Sequence, residues 1–149
     1  MREQPTASQG ANMATEHRLA ERFAETLTAH DLDAYSTLLH PDYVNHNRYA
    51  EPGKAGSVAI FRAFIDACDD FRAEVDDIID AGDTVVGRYT YRGRHTGTFL
   101  GVPASNAEIA MHTIDIWRIR DGLLAEHWDE LNTLEVFQQM GAIPQLALA

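Results

Sequence analysis

Asp115, His127 and Asp129 recur at alternating positions in a stretch that otherwise reads as two β-strands, one from about Ala107 to Ile119 and one from Leu123 to Leu131. The turn between them decides which side chains meet. A three-residue Arg120-Asp121-Gly122 loop, with Gly122 taking the left-handed position, sets Ile119 opposite Leu123 and Asp115 opposite His127. Strand side chains alternate, so Met111, Thr113, Asp115, Trp117, Ala125, His127 and Asp129 then share one face, with Asp129 diagonal to Asp115 at about 7 Å or less. A two-residue Asp121-Gly122 loop would instead set Asp115 opposite Trp128 and split the acids. Carboxylates buried together without cations have raised pKa values, and one of a close pair is pushed higher still. Such a pair supplies an acid and a base from ordinary side chains, and Asp129, Asp115 and His127 are the expected catalytic residues. The alternative is that this polar face looks at water. The opposite face speaks against that alternative, because it mixes Ile114, Ile116, Leu124 and Trp128 with His112, Arg118, Glu126 and Glu130 and reads as an interface for a second copy of the chain.

Other residues are candidates for holding a ligand. His95 ends a long strand, where it can line a pocket mouth or bond a loop carbonyl. Asn45 and His46 follow Tyr43 in a loop, where the amide can serve a site or only its own turn. Tyr43 is suited to donate to a substrate carbonyl or to cap that loop. Trp117, Phe64, Phe23, Leu27, Met111 and Thr113 are expected as pocket walls. No metal is expected: the seven histidines lack H-x-x-x-H spacing, and His112 and His127 point to opposite faces. Gly53, Lys54 and Gly56 do not make a phosphate loop, so no nucleotide cofactor is expected either.

These side chains need a scaffold, and the chain of 149 residues, 45% apolar and 23% charged, is long enough for one domain with its own core. Residues 1–14 are polar, lack the pattern of a core or a secretory signal, and are expected as a disordered tail, with Met13 as an alternative start. Leu19, Phe23 and Leu27 stripe a helix from about Thr15 to Ala29. Asp31 caps a short second helix carrying Leu32, Tyr35, Leu38 and Leu39. A loop with a short strand near Asp42 to Asn45 leads to a third helix, about Lys54 to Asp70, whose core face is Ile60, Phe61, Phe64, Ile65 and Cys68. From Phe71 the period becomes two. Phe71, Ala73 and Val75 pair through the Ala81-Gly82-Asp83 turn with Val85, Gly87, Tyr89 and Tyr91. A last helix spans Thr133 to Met140. Helices followed by a meander of long strands make an α+β fold in which a curved, mainly antiparallel sheet wraps over helices. A net charge of −11 disfavours nucleic acid and anionic membranes, no apolar run nears the roughly 20 residues of a membrane span, and the lone Cys68 makes no internal disulfide. The expected location is the cytoplasm.

The segments HPDYVNHN (His40 to Asn47), GRHTGTFLGVPAS (Gly93 to Ser105) and IDIWRIRDGLLAEHWDELN (Ile114 to Asn132) resemble the SnoaL-like polyketide cyclase family over roughly residues 16 to 143. The resemblance implies a cone of the nuclear-transport-factor-2 type, and it sets Asp129 at the family's acid/base carboxylate. Two positions differ from the aldol-type cyclases, which have His where this chain has Asp115 and Arg where it has Trp128. Related hydroxylases resemble the chain more in its EHWD segment and in a carboxylate at Asp115.

Four functions are therefore in view. The leading one is an enzyme that removes a proton beside the carbonyl of a hydrophobic, polyketide-like or polycyclic ketone through Asp129, as a cyclase or isomerase does. Protonated Asp115, His127 or Asn45 would stabilise the enolate. Cofactor-free hydroxylation is the alternative reaction. A binding module, in which the acids only orient a ligand, belongs to another class. Epoxide hydrolysis needs an Arg between its acids, and Arg118 points to the other face.

Overall fold

The computed structural model describes residues 7–146, in the order α1 (Ala7–Thr28), α2 (Leu32–Leu38), β1 (Leu39–Asn45), α3 (Gly53–Ala67), β2 (Cys68–Asp80), β3 (Thr84–His95), β4 (Glu108–Arg120), β5 (Leu123–Leu131) and α4 (Thr133–Gln139). Helix α1 begins earlier than about Thr15, and the first six residues of the expected tail lie outside the described residues. The stripe on α1 is the buried one: Leu19, Ala20, Phe23, Ala24 and Leu27 face inward, while Arg18 reaches Glu21 and Glu25 on the outside. Asp31 caps α2 by accepting the Ala34 N–H at 2.9 Å.

The strands form one curved, open sheet in the order β1-β5-β4-β3-β2, antiparallel except where β1 runs parallel to β5. Helices cover one face, so alternate residues of each strand enter the core. Phe23 stands at its centre, with the rings of Trp117, Tyr89, Phe61 and Tyr35 at 4.9, 5.2, 5.6 and 5.8 Å. Gly87 makes room for this packing, because a Cβ there would lie 2.4 Å from the Tyr89 ring, whose hydroxyl donates to Ala20 O at 2.9 Å.

The β4–β5 turn differs from the expected three-residue loop. Arg120 pairs with Leu123 across the two residues Asp121 and Gly122, both at positive φ (54° and 71°), the geometry that an Asp-Gly pair favours. By itself this turn would set Asp115 against Trp128. A bulge prevents it: Ile119 pairs with Leu124 and Arg118 with Glu126, so Ala125 is the extra residue and the alternation shifts by one. Asp115 then stands directly opposite Asp129, and Trp117 opposite His127, in place of the expected pairing of Asp115 with His127. The same bulge turns Leu124 inward, where it is fully buried with Val85 and Trp117, so Leu124 is not part of the outer face.

Candidate functional site

Between α3, α4 and the inner face of the sheet lies a slot of about 650 Å3 counted out to its mouth. Its largely apolar lining with a few polar groups suits a hydrophobic small molecule. Its walls are Phe61, Phe64, Tyr91, Phe99, Met111 and Phe137, and His127, Asp129, Asn45 and Asn47 stand at one end. Asp129 also borders a polar surface hollow with His46, Arg48 and Glu130, so its carboxyl joins the apolar slot to solvent.

The polar end is organised by two consecutive Asx turns. Asn45 Oδ1 accepts the backbone N–H of Asn47 at 3.0 Å, and Asn47 Oδ1 accepts that of Tyr49 at 2.7 Å. Each turn fixes which end of its amide is oxygen. Asn47 therefore offers its NH2 to Asp129 Oδ2, at 2.5 Å, while Asn45 presents oxygen to His127 Nδ1, at 3.1 Å. The other ring nitrogen of His127 meets Asp115 Oδ1 at 2.8 Å, and Asp115 Oδ2 accepts the Thr113 hydroxyl at 2.8 Å. Because Nδ1 faces an oxygen, it must carry a proton. A second proton then lies between Nε2 and Asp115, in either an imidazolium–carboxylate or an imidazole–carboxylic acid pair. Neither form leaves His127 a lone pair for a substrate. Its ring lies stacked against Trp117 (5.3 Å) and Tyr43 (6.5 Å), which fix its orientation.

Asp129 is the acid left to react. Burial raises its pKa above the ordinary 3.8; His127 and the Asn47 hydrogen bond pull it back, and Asp115 adds a smaller upward push. Its Oδ1 has no hydrogen bond among the described residues, whereas every polar atom of the Asp115–His127 pair is engaged.

The expected ligand-contacting residues divide into three groups. Asn45, Phe64 and Met111 line the slot. Tyr43, Trp117 and Thr113 lie behind it and hold His127 and Asp115 in place, while Phe23 and Leu27 are buried among the helices and do not reach it. His46 and His95 belong elsewhere. His46 turns outward, stacks on Trp128 at 4.9 Å and bonds Glu126 at 2.9 Å, because it alternates with Asn45 along the chain. His95 is fully buried and bound through Nδ1 to Ser105 (3.0 Å), fastening the 96–107 loop rather than opening on the cavity. Asn47 and Tyr91 were not among the expected residues, though the Asn-x-Asn spacing at Asn45 and Asn47 is a signal for paired Asx turns.

One ligating atom from each of Asp115, His127 and Asp129 can be gathered within 4.8 Å, which is the reach of a divalent ion. The donor set fits such an ion poorly. Both nitrogens of His127 are already hydrogen-bonded, and an ion would have to displace a proton and the Asp115 contact together.

With this geometry in hand, comparison with known proteins is informative. The aklanonic acid methyl ester cyclase DnrD of Streptomyces peucetius is 25% identical over 134 residues, spanning 87% of this chain and 92% of that protein. The nogalonic acid methyl ester cyclase of Streptomyces nogalater is 27% identical over 116 residues, 74% of this chain and 84% of that one. Among solved structures, TsrD from Streptomyces laurentii superposes with a TM-score of 0.81 at 36% identity, covering 87% of this chain and 97% of its own. AclR from Streptomyces galilaeus, described as a candidate hydroxylase, gives 0.80 at 27% identity, covering 89% and 99%. Residues 17–140 match the family described as SnoaL-like polyketide cyclase, and with nearly the whole ordered chain inside that match, the protein belongs to the SnoaL-like polyketide cyclase family.

Proposed function

We propose that the protein is an enzyme that takes a hydrophobic, polyketide-like ketone into the slot and moves a proton through Asp129, as a cyclase or isomerase without a cofactor. The observation that carries this reading is the division of labour at the polar end. Asp115 and His127 satisfy one another, and Asp129 alone offers an unengaged carboxylate oxygen to the slot. Asp129 would take the acidic proton next to the substrate carbonyl, helped by a pKa that burial raises above its ordinary value. The developing enolate needs a donor. Asn45 has only its NH2 left to give, because its oxygen is held by Asn47 and His127. The Asp115–His127 pair positions Asn45 and places positive charge beside Asp129 when the imidazole carries the proton. The two curated relatives are cyclases of polyketide methyl esters by name, which supports ring closure by carbanion attack on a second carbonyl.

Cofactor-free hydroxylation of an aromatic polyketide is the second reading, favoured by the face-to-face pair Asp115 and Asp129 and by the similarity to AclR. There the carbanion would react with oxygen instead. The test is a panel of aromatic polyketide ketones assayed with and without oxygen, on the wild type and on Asp129→Asn. The amide keeps the shape and can still accept from Asn47, so ligand affinity should hold while turnover falls by about a hundredfold or more. Full activity in Asp129→Asn would sink the mechanism. Tight binding with no turnover of any ketone would leave a ligand-binding protein.

A further inference from the structure

The slot has a second polar group, on a strand next to the one that carries Asp115. Tyr91 lies on β3 opposite Met111, four residues from Gly87, which pairs with Asp115. At about 3.3 Å per residue, its backbone is about 13 Å along the strand from the acid pair. Its ring is packed edge-on against Phe61 (6.0 Å) and Phe64 (6.1 Å), tilted against Phe71 (6.1 Å) and stacked on Tyr89 (6.5 Å). The residue is 3% exposed, yet it lines the cavity, and its hydroxyl has no hydrogen-bond partner among the described residues. Its neighbour Tyr89 shows the ordinary solution, donating to Ala20 O. An unmet buried hydroxyl is destabilising, which a fold does not carry without a reason.

We infer that the Tyr91 hydroxyl donates a hydrogen bond to an acceptor oxygen of the substrate, making Tyr91 a specificity-determining residue for ketones that carry an acceptor oxygen at that point. This rests on the proposed use of the slot for ketones. The rings around Tyr91 exclude other donors and bind carbon surface, so an oxygen on the ligand is worth most at this one point. Burial, with the Asp115 and Asp129 carboxylates adding to it, keeps the phenol protonated and therefore a donor.

The test measures equilibrium binding of 1-tetralone and of tetralin, the same two-ring skeleton with and without an acceptor oxygen, to the wild type and to Tyr91→Phe. The wild type should prefer tetralone by about tenfold, the worth of one buried hydrogen bond, and Tyr91→Phe should lose that preference by weakening tetralone alone. The Tm of Tyr91→Phe, without ligand, should be unchanged or higher, because no internal bond is lost. Equal binding of the two probes by the wild type, an undiminished preference in Tyr91→Phe, or a lowered Tm each overturns the inference and leaves the Asp129 reading standing. Binding of neither probe by the wild type overturns the use of the slot itself.

Discussion

On the outer face of the sheet, Arg92 donates to Glu74 at 2.8 Å and Arg118 lies 3.7 Å from Asp83 and 4.0 Å from Glu126. On the inner face of the same sheet, Asp115 and Asp129 have no Arg or Lys ion pair among the described residues and are served by Thr113, His127 and Asn47. Residue types are similar on the two faces, and what differs is how charge is met. Outside, opposite charges meet in water, where such a pair contributes about 0–1 kcal/mol, and the Arg92 hydrogen bond holds the Glu74 carboxyl below its ordinary pKa. Inside, neutral donors and a single imidazole hold two carboxylates in apolar surroundings, and one of them is kept easily protonated. A chemical site is marked less by its acids than by the absence of arginines to quiet them.

The largest way to break this contrast is to take away the one imidazole. His127→Phe fills the stack between Trp117 and Tyr43 but leaves Asp115 buried with only Thr113. Removing one partner of a buried pair typically costs about 3–5 kcal/mol. Urea unfolding near neutral pH should show a loss of that order. A loss under about 1 kcal/mol would mean that the pair is not a coupled unit.

A smaller change sharpens the pH behaviour. The Asn47 hydrogen bond lowers the pKa of Asp129, so Asn47→Leu should raise it further and move the acid limb of the pH–rate profile to higher pH. The sign for stability follows. A carboxyl whose folded pKa lies above its unfolded value contributes stability that is fully present below about 3.8 and is lost as pH rises through the raised value. Asn47→Leu widens that window upward, while Asp129→Asn removes it and should gain stability at neutral pH only. Thermal melts at acid and neutral pH check both, and an acid limb that moves downward in Asn47→Leu would refute the assignment.

Much of this arrangement is legible in the sequence, for identifiable reasons. The change from a four-residue to a two-residue period separates helices from strands, although it reads at Phe71 and the strand begins at Cys68, and alternation together with the turn gathers Asp115, His127 and Asp129 on one face. The partner of each residue is not legible, because an alanine bulge has no Gly or Pro to announce it: Ala125 looks like any strand residue. Two errors in register cancel there, a turn one residue shorter and a strand one residue longer, so the face survives while the pairing shifts. Asn47 is hidden for another reason. An Asx turn and a site contact were weighed as alternatives at Asn45, whereas the fold uses the turn to aim the amide. Tyr91 reads as one more core aromatic until its hydroxyl proves to lack a partner.

The smallest energetic effect belongs to the outer face. Ile114 and Ile116 are 50% and 38% exposed there, beside half-buried Trp128. Arginines and carboxylates flank them, so the face carries both signs of charge around an apolar centre and can complement itself across a twofold axis. We propose that two copies pair through this face. It lacks Leu124, which turns inward, and gains Ile79, 57% exposed and in one cross-strand row with Ile116. Light scattering at micromolar concentration should give a dimer for the wild type and a monomer for Ile116→Asp. Within the monomer the substitution touches no core packing, so its own stability should change by no more than about 0.5 kcal/mol. The slot lies on the other side of the sheet, and turnover should survive the loss of the dimer. A monomeric wild type, or an Ile116→Asp variant that still dimerises, would show that the isoleucines are ordinary exposed residues and that the two faces differ only in how they treat charge.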